Sequence, residues 1–107
     1  MKLILAVADP ESVPRIQEAL ERVEVFRLTL SDVASHTARE AGAPGQTWGS
    51  RPAVRLEIAV NEGFLKPTLD ALFRALREAG DERATIYVLP LRDAIRIRTG
   101  EHGTEAI

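Results

Sequence analysis

Hydrophobic spacing changes period several times along this chain, and that order of changes constrains the fold more than any single motif. Leu3 to Ala8 is an almost unbroken apolar run, which predicts a short strand buried on both faces near the centre of a sheet. Val13, Ile16, Leu20 and Val23 then follow helical spacing, opposite Arg15, Gln17, Glu18, Glu21 and Arg22. Asp9 or Ser12 is a candidate cap for this helix, and Pro14 fits its first turn. Period two returns in Phe26-Arg27-Leu28-Thr29-Leu30-Ser31, so Glu24 to Val33 reads as a second strand. Val54, Leu56, Ile58 and Val60 alternate with Arg55, Glu57 and Ala59, giving a third, half-exposed strand. After a turn at Asn61-Glu62-Gly63, the stripe Leu65, Leu69, Leu72, Phe73 and Leu76 predicts a helix stopped at Ala79-Gly80. Asp81 to Ala84 is a charged connection, and Thr85 to Leu89 a fourth strand. The resulting order is the split βαβ, ferredoxin-like α+β pattern, βαββαβ with a short last strand at Asp93 to Arg98. Both helices should cover one face of an antiparallel sheet, and a second copy of the chain would cover the other.

Between the second and third strands, Ala34 to Arg51 has no usable period and carries Gly42, Pro44, Gly45 and Gly49, with Pro52 just beyond; it reads as a long loop. A loop of this length in a small domain tends to be functional. It holds Arg39, Arg51 and the only tryptophan, Trp48. Trp48 either marks a docking surface or folds back onto its own subunit.

The chain ends in Ile95-Arg96-Ile97-Arg98-Thr99-Gly100-Glu101. On a strand, Ile95 and Ile97 would face the protein while Arg96 and Arg98 face out together. Two adjacent guanidinium forks suit a phosphate, although they also suit surface carboxylates.

Composition removes several classes. The 107 residues are enough for a single domain with one modest core. The net charge of −2 argues against a general nucleic-acid or anionic-membrane binder. With no cysteine there is no disulfide, thiolate nucleophile or cysteine-bound metal. No apolar run has the length of a membrane span, and the opening residues do not form a signal peptide, so a cytoplasmic location is expected. His36 and His102, with Glu40 or Glu101, could approach a transition metal across subunits, but no ligand spacing supports this and no metal is expected. No nucleophile set and no Walker-type glycine loop is present, so an enzyme has little support.

With this order in place the chain resembles the PII signal-transduction family. The likeness rests on Met1-Lys2-Leu3-Ile4, on Val25 to Val33 with Thr29 inside it, and on Val54-Arg55-Leu56-Glu57-Ile58. It rests above all on Asp93-Ala94-Ile95-Arg96-Ile97-Arg98-Thr99-Gly100-Glu101 through Ala106-Ile107. The resemblance implies a cytoplasmic homotrimer of ferredoxin-like domains that binds an adenine nucleotide in clefts between subunits. It implies control of a partner, such as a membrane transporter or metabolic enzyme, through an effector T-loop at about residues 34–52. Carried over by position, Arg96 and Arg98 would grip the phosphates. Thr29, Glu57 and Ala59 would lie near adenine and ribose, and Val7 and Ser35 would line the cleft at the base of the loop. Arg39, Trp48 and Arg51 would meet the partner.

The departures shape the expectation. In the gap-free register the family's Gly-Asp-Gly-Lys phosphate loop falls on Glu82-Arg83-Ala84-Thr85, where Arg83 could substitute for the lysine in part; a slip of register would instead bring Gly80-Asp81 into that place. The Gly-Arg-Gln-Lys-Gly run is missing, which argues against 2-oxoglutarate sensing. The sole tyrosine, Tyr87, lies in a predicted strand, which argues against uridylylation. The chain thus resembles divergent, PII-like members tied to bicarbonate or other transport, in which ADP, AMP or cyclic AMP is favoured over ATP. The alternative is a CutA-like trimeric scaffold or metal-binding protein of similar fold, its arginines serving only as interface salt bridges.

Overall fold

A computed structural model describes residues 1–38 and 48–107. Four antiparallel strands, β1 (Lys2–Ala8), β2 (Thr29–Ala38), β3 (Trp48–Val60) and β4 (Thr85–Pro90), form one sheet in the order β2-β3-β1-β4. Helices α1 (Val13–Arg22) and α2 (Glu62–Glu78) lie on one face. This is the ferredoxin-like arrangement expected from the order of periods, with β1 and β3 in the centre.

The core follows from strand alternation. Ile4, Ala6 and Ala8 of β1 meet Leu56, Ile58 and Val60 of β3, and Ile16, Leu20, Leu72 and Leu76 close over them from the helices. The odd-numbered residues of β1, β3 and β4 point the other way. There, Leu3, Leu5, Tyr87 and Leu89 form an apolar surface that no described element of the same subunit covers. β1 is therefore fully buried on one face only within a single chain.

Both helices end in the same way. At α1, Glu24 N–H donates to the carbonyl of Glu21 and Val25 N–H to that of Leu20. At α2, Gly80 N–H donates to Arg77 and Asp81 N–H to Leu76. These are Schellman closures, which need a left-handed residue. Gly80 adopts φ 70° at no steric cost, while Glu24 adopts φ 61° with a Cβ to accommodate. The closure at Glu24 corrects the expected second strand: residues 24–28 are not strand, and β2 begins at Thr29.

β2 and β3 also run further than expected. Residues 34–38 and 48–52, read from sequence as irregular loop, are paired strand, from Ala34 opposite Pro52 to Ala38 opposite Trp48. Pro52 is tolerated because β1 stops pairing with β3 at Val54, which leaves one edge of β3 free there. The ribbon lengthens the molecule to 56 Å, and its radius of gyration of 16.1 Å exceeds the roughly 13 Å of a compact chain this size.

Neither candidate cap acts as one. Ser12 and Asp9 make no side-chain cap bond to the α1 region. Ser12 Oγ instead donates to Asp81 Oδ2 at 2.8 Å, and Asp9 N–H donates to the same oxygen at 2.7 Å. Asp81, read from sequence as part of a solvated connection, is buried. It caps the β1–α1 junction from the far end of α2. Asn61 likewise belongs to the start of α2 rather than to a free turn.

Asp81→Ala would strand two buried donors. It should lower stability by about 2–3 kcal/mol in urea unfolding, whereas Glu82→Ala, on the exposed side of the same turn, should change it by less than about 0.5 kcal/mol.

Candidate functional site

The C-terminal segment builds its own small hairpin. Arg96 N–H donates to the Glu101 carbonyl at 2.9 Å, Gly100 N–H to the Arg96 carbonyl at 2.7 Å, and Gly103 N–H to the Ala94 carbonyl at 2.9 Å. Gly100 and Gly103 both take left-handed φ, 74° and 66°, at the turns. The expected last strand is therefore a single bridge, Ile95 opposite His102, because these backbone groups are spent inside the hairpin.

The hairpin also reverses the expected facing. Ile97 is 91% exposed and Ile95 more than half exposed, while Arg96 is turned inward. Arg98 remains on the surface. One Arg96 guanidinium nitrogen donates to the Ala106 carbonyl at 3.4 Å, and its Nε is buried with no partner. The two guanidinium groups do not project together from one strand face.

Arg96 lines a cleft of about 440 Å³ together with Thr29, Glu57 and Ala59. Glu57 holds Arg55 at 3.1 Å across the open face of the sheet. A second cleft brings Ser35, Arg51 and Arg83 beside Thr85, and Val7 pairs with Thr85 on the same face. Thr29 and Ser35 are six residues apart on β2, about 20 Å in extended chain. The structure thus divides the carried-over residues into two sets that do not meet within one subunit. All five strand residues among them, Val7, Thr29, Ser35, Glu57 and Ala59, sit on odd positions of the open face.

The connection after α2 offers no free cradle at Glu82 and Ala84. Glu82 N–H donates to the Gly80 carbonyl at 3.0 Å and Ala84 N–H to the Asp81 carbonyl at 3.3 Å. Charge at this place comes from the exposed side chain of Arg83.

On the ribbon, Trp48 is 71% exposed, so it does not fold back onto its own subunit. Arg51 is half-buried and paired with Asp9. Arg39 and Glu40 lie outside the described residues. His36 is exposed, and among the described residues no group of three His, Asp or Glu side chains could hold a metal. No described helix is long and apolar enough to cross a membrane.

A family model described as Nitrogen regulatory protein P-II matches residues 1–101. The chain belongs to the P-II family. It is 35% identical to Nitrogen regulatory protein GlnK1 of Methanosarcina mazei, over all of this chain and 97% of that one. It is 33% identical to a Nitrogen regulatory protein P-II of Synechocystis, with both chains fully covered. The solved structure of a GlnK–ATP complex from B. subtilis superposes with a TM-score of 0.86 over 99% of this chain and 94% of that one, at 24% identity. That likeness shows the P-II fold.

Two residues that shape the site were not singled out from the sequence. Asn61 Nδ2 donates to the Thr104 carbonyl at 3.0 Å, which pins the C-terminal turn Gly103–Ala106 over the first cleft. Asp93 Oδ1 accepts from Ala94 N–H at 2.8 Å and Gly103 N–H at 3.1 Å, closing the hairpin that carries both arginines. The dipeptide Asp93-Ala94 ahead of the arginines was a local signal for the second; nothing near Asn61 signalled the first.

The Ala94 N–H above all, with help from Gly103 and from His102 at 3.7 Å, holds the Asp93 carboxyl below the usual carboxylate range. A lowered folded pKa means the closure is complete above the ordinary value near 4 and is lost as pH falls through the lower one. Acid titration followed by NMR should move the Gly103 and Ala94 amides with a midpoint below that of an unstructured aspartate. A midpoint at the ordinary value would show that these bonds do not hold the hairpin.

Proposed function

We propose that this P-II protein is a regulatory subunit, not an enzyme, that binds an adenine nucleotide between subunits of a homotrimer and signals through its β2–β3 ribbon. One observation carries the reading. The residues that family position assigns to the nucleotide form two sets on the open sheet face, too far apart to share a ligand within one chain. Packing the open faces of neighbouring copies would cover Leu3, Leu5, Tyr87 and Leu89 and would let the Arg96 set of one subunit approach the Ser35–Arg83 set of the next. The named B. subtilis relative was solved with ATP, which supports the ligand class.

In this reading Arg96 and Arg98 bind phosphate oxygens, Thr29, Glu57 and Ala59 take the base and sugar, and Val7, Ser35 and Arg83 complete the cleft from the neighbouring subunit. Binding at Ser35 would bias the exit direction of a ribbon that begins at that residue. A ligand resets such an element only by its differential affinity for the element's states. Trp48 and Arg51 of the ribbon, with Arg39 next in sequence after β2, would meet a protein partner, a transporter or a metabolic enzyme in the cytoplasm; Arg51, paired with Asp9, also ties the ribbon base to β1. With Glu82 and Ala84 amides committed to the turn, phosphate contacts come from side chains. That favours a ligand with fewer phosphates, ADP, AMP or cyclic AMP, over ATP. A small anion such as bicarbonate is a candidate co-ligand.

Light scattering should give the mass of three chains. Calorimetry against ATP, ADP, AMP and cyclic AMP should find one preferred nucleotide. Arg98→Ala should weaken it by about 1.5–3 kcal/mol, roughly tenfold or more. A trimer that binds none of the four would leave the ribbon as the functional element without nucleotide control.

A further inference from the structure

The predicted phosphate-gripping arginine is already engaged by its own chain. Arg96 donates to the carbonyl of Ala106, and Asn61 at the start of α2 holds the carbonyl of Thr104. Ala106 is 8% exposed, and Ala106 and Ile107 line the same cleft as Thr29, Glu57 and Arg96. The segment thus covers the wall where a phosphate would be held.

This engagement is incomplete. At 3.4 Å the Arg96–Ala106 bond is long for N–H···O, whose usual distance is near 2.9 Å. The neighbouring Nε of the same guanidinium is buried with no acceptor. A buried donor left unpaired costs free energy, and a neutral carbonyl is a weaker acceptor than an anion. A phosphate oxygen pair could serve both nitrogens at once, in the side-by-side geometry that guanidinium groups favour. Asn61, by contrast, serves only the segment: its Nδ2 is given to Thr104, and its Oδ1 has no partner.

We infer that residues 103–107 form a strap that competes with the phosphate ligand for Arg96, with Asn61 as its anchor. The inference rests on the nucleotide-binding reading above. The strap lines the cleft beside the guanidinium and gives that group up when an anion takes it. Because only the strap-free fraction binds, the anchor lowers apparent affinity by the fraction it holds closed. Asn61 also lines the cleft, but its one side-chain donor is given to the strap, and in this inference it acts as a positioning residue that tunes affinity through that bond.

The test uses two probes, ADP and inorganic pyrophosphate, titrated by calorimetry into the wild-type protein, Asn61→Ala and a chain ending at Gly103. Backbone 15N relaxation of Thr104 to Ala106 in the wild type, with and without each probe, reports the strap directly. Loss of one or two ordinary hydrogen bonds to the strap should tighten binding about three- to tenfold in both variants. The Thr104–Ala106 amides should become more mobile at saturation. If ADP binds the wild type and both variants equally, or the amides stay ordered, the strap is overturned while nucleotide binding stands. If pyrophosphate shows the tightening and ADP binds nothing, the nucleotide reading fails and the strap stands. Binding of neither probe to any form overturns both. Should the shortened chain fail to fold, Asn61→Ala and the relaxation data decide alone.

Discussion

The pairing register of β3 is the constraint on which the rest of the molecule depends. Its residues 54–60 pair with β1 and its residues 48–57 with β2, so one strand spans both the core and the ribbon. Even positions 54, 56, 58 and 60 carry the core, and odd positions 55, 57 and 59 carry the Arg55–Glu57 pair and the cleft wall. A slip of one residue would exchange the two sets, placing Glu57 and Arg55 under the helices and Leu56 and Ile58 on the open face. Burying an ion pair in place of two aliphatic side chains would cost several kcal/mol, so the core fixes the site. The geometry of the cleft is a by-product of hydrophobic burial on the opposite face.

This coupling explains what was legible in the sequence. Where one face of an element is buried and the other wet, period alone fixed identity, as in β3, α1 and α2; β1 was legible only as an apolar run, which hid that one of its faces is open in the single chain. Of the five strand residues of the candidate site, Thr29, Glu57 and Ala59 lay in alternating stretches, whereas Val7 and Ser35 came only from the family resemblance. The ribbon was not legible. Between residues 34 and 38 and between 48 and 52 neither face is continuously buried, so no alternation records the pairing. Cross-strand hydrogen bonds hold that region, and hydrogen bonds leave no hydropathy pattern. The same applies to Asp81 and Asn61. Both are polar residues beside helix ends, and their partners lie 72 and 43 positions away in the chain.

The C-terminal hairpin shows the opposite failure. Ile95-Arg96-Ile97-Arg98 alternates cleanly, yet the isoleucines face out and Arg96 faces in. Alternation states that two faces differ without saying which is inside. In a single subunit the hairpin's inward side meets the polar carbonyl of Ala106 and the cleft, where a guanidinium finds an acceptor and an isoleucine would not. The outward isoleucines, like Tyr87 and Leu89, are large apolar side chains left exposed by the single chain. Alternation alone therefore does not decide the facing of a short hairpin whose inward side is polar.

The connection after α2 reveals how a departure from the family pattern was absorbed. Glycines there would leave backbone N–H groups free to meet an anion. In this chain those of Glu82 and Ala84 close the turn instead, and the carboxylate of Asp81 reaches back to cap the β1–α1 junction. A loop whose donors are committed to structure gains rigidity and loses reach. In the proposed nucleotide-binding reading, recognition at this edge would fall to the side chain of Arg83, a flexible charge in place of a preorganised cradle. Ordering that side chain costs conformational entropy of up to about 2 kcal/mol on each binding event. The exchange moves free energy from ligand binding into folding. If the proposed reading holds, a single fold would keep its sheet, its two helices and its open face while one turn reset the strength of its grip on phosphate.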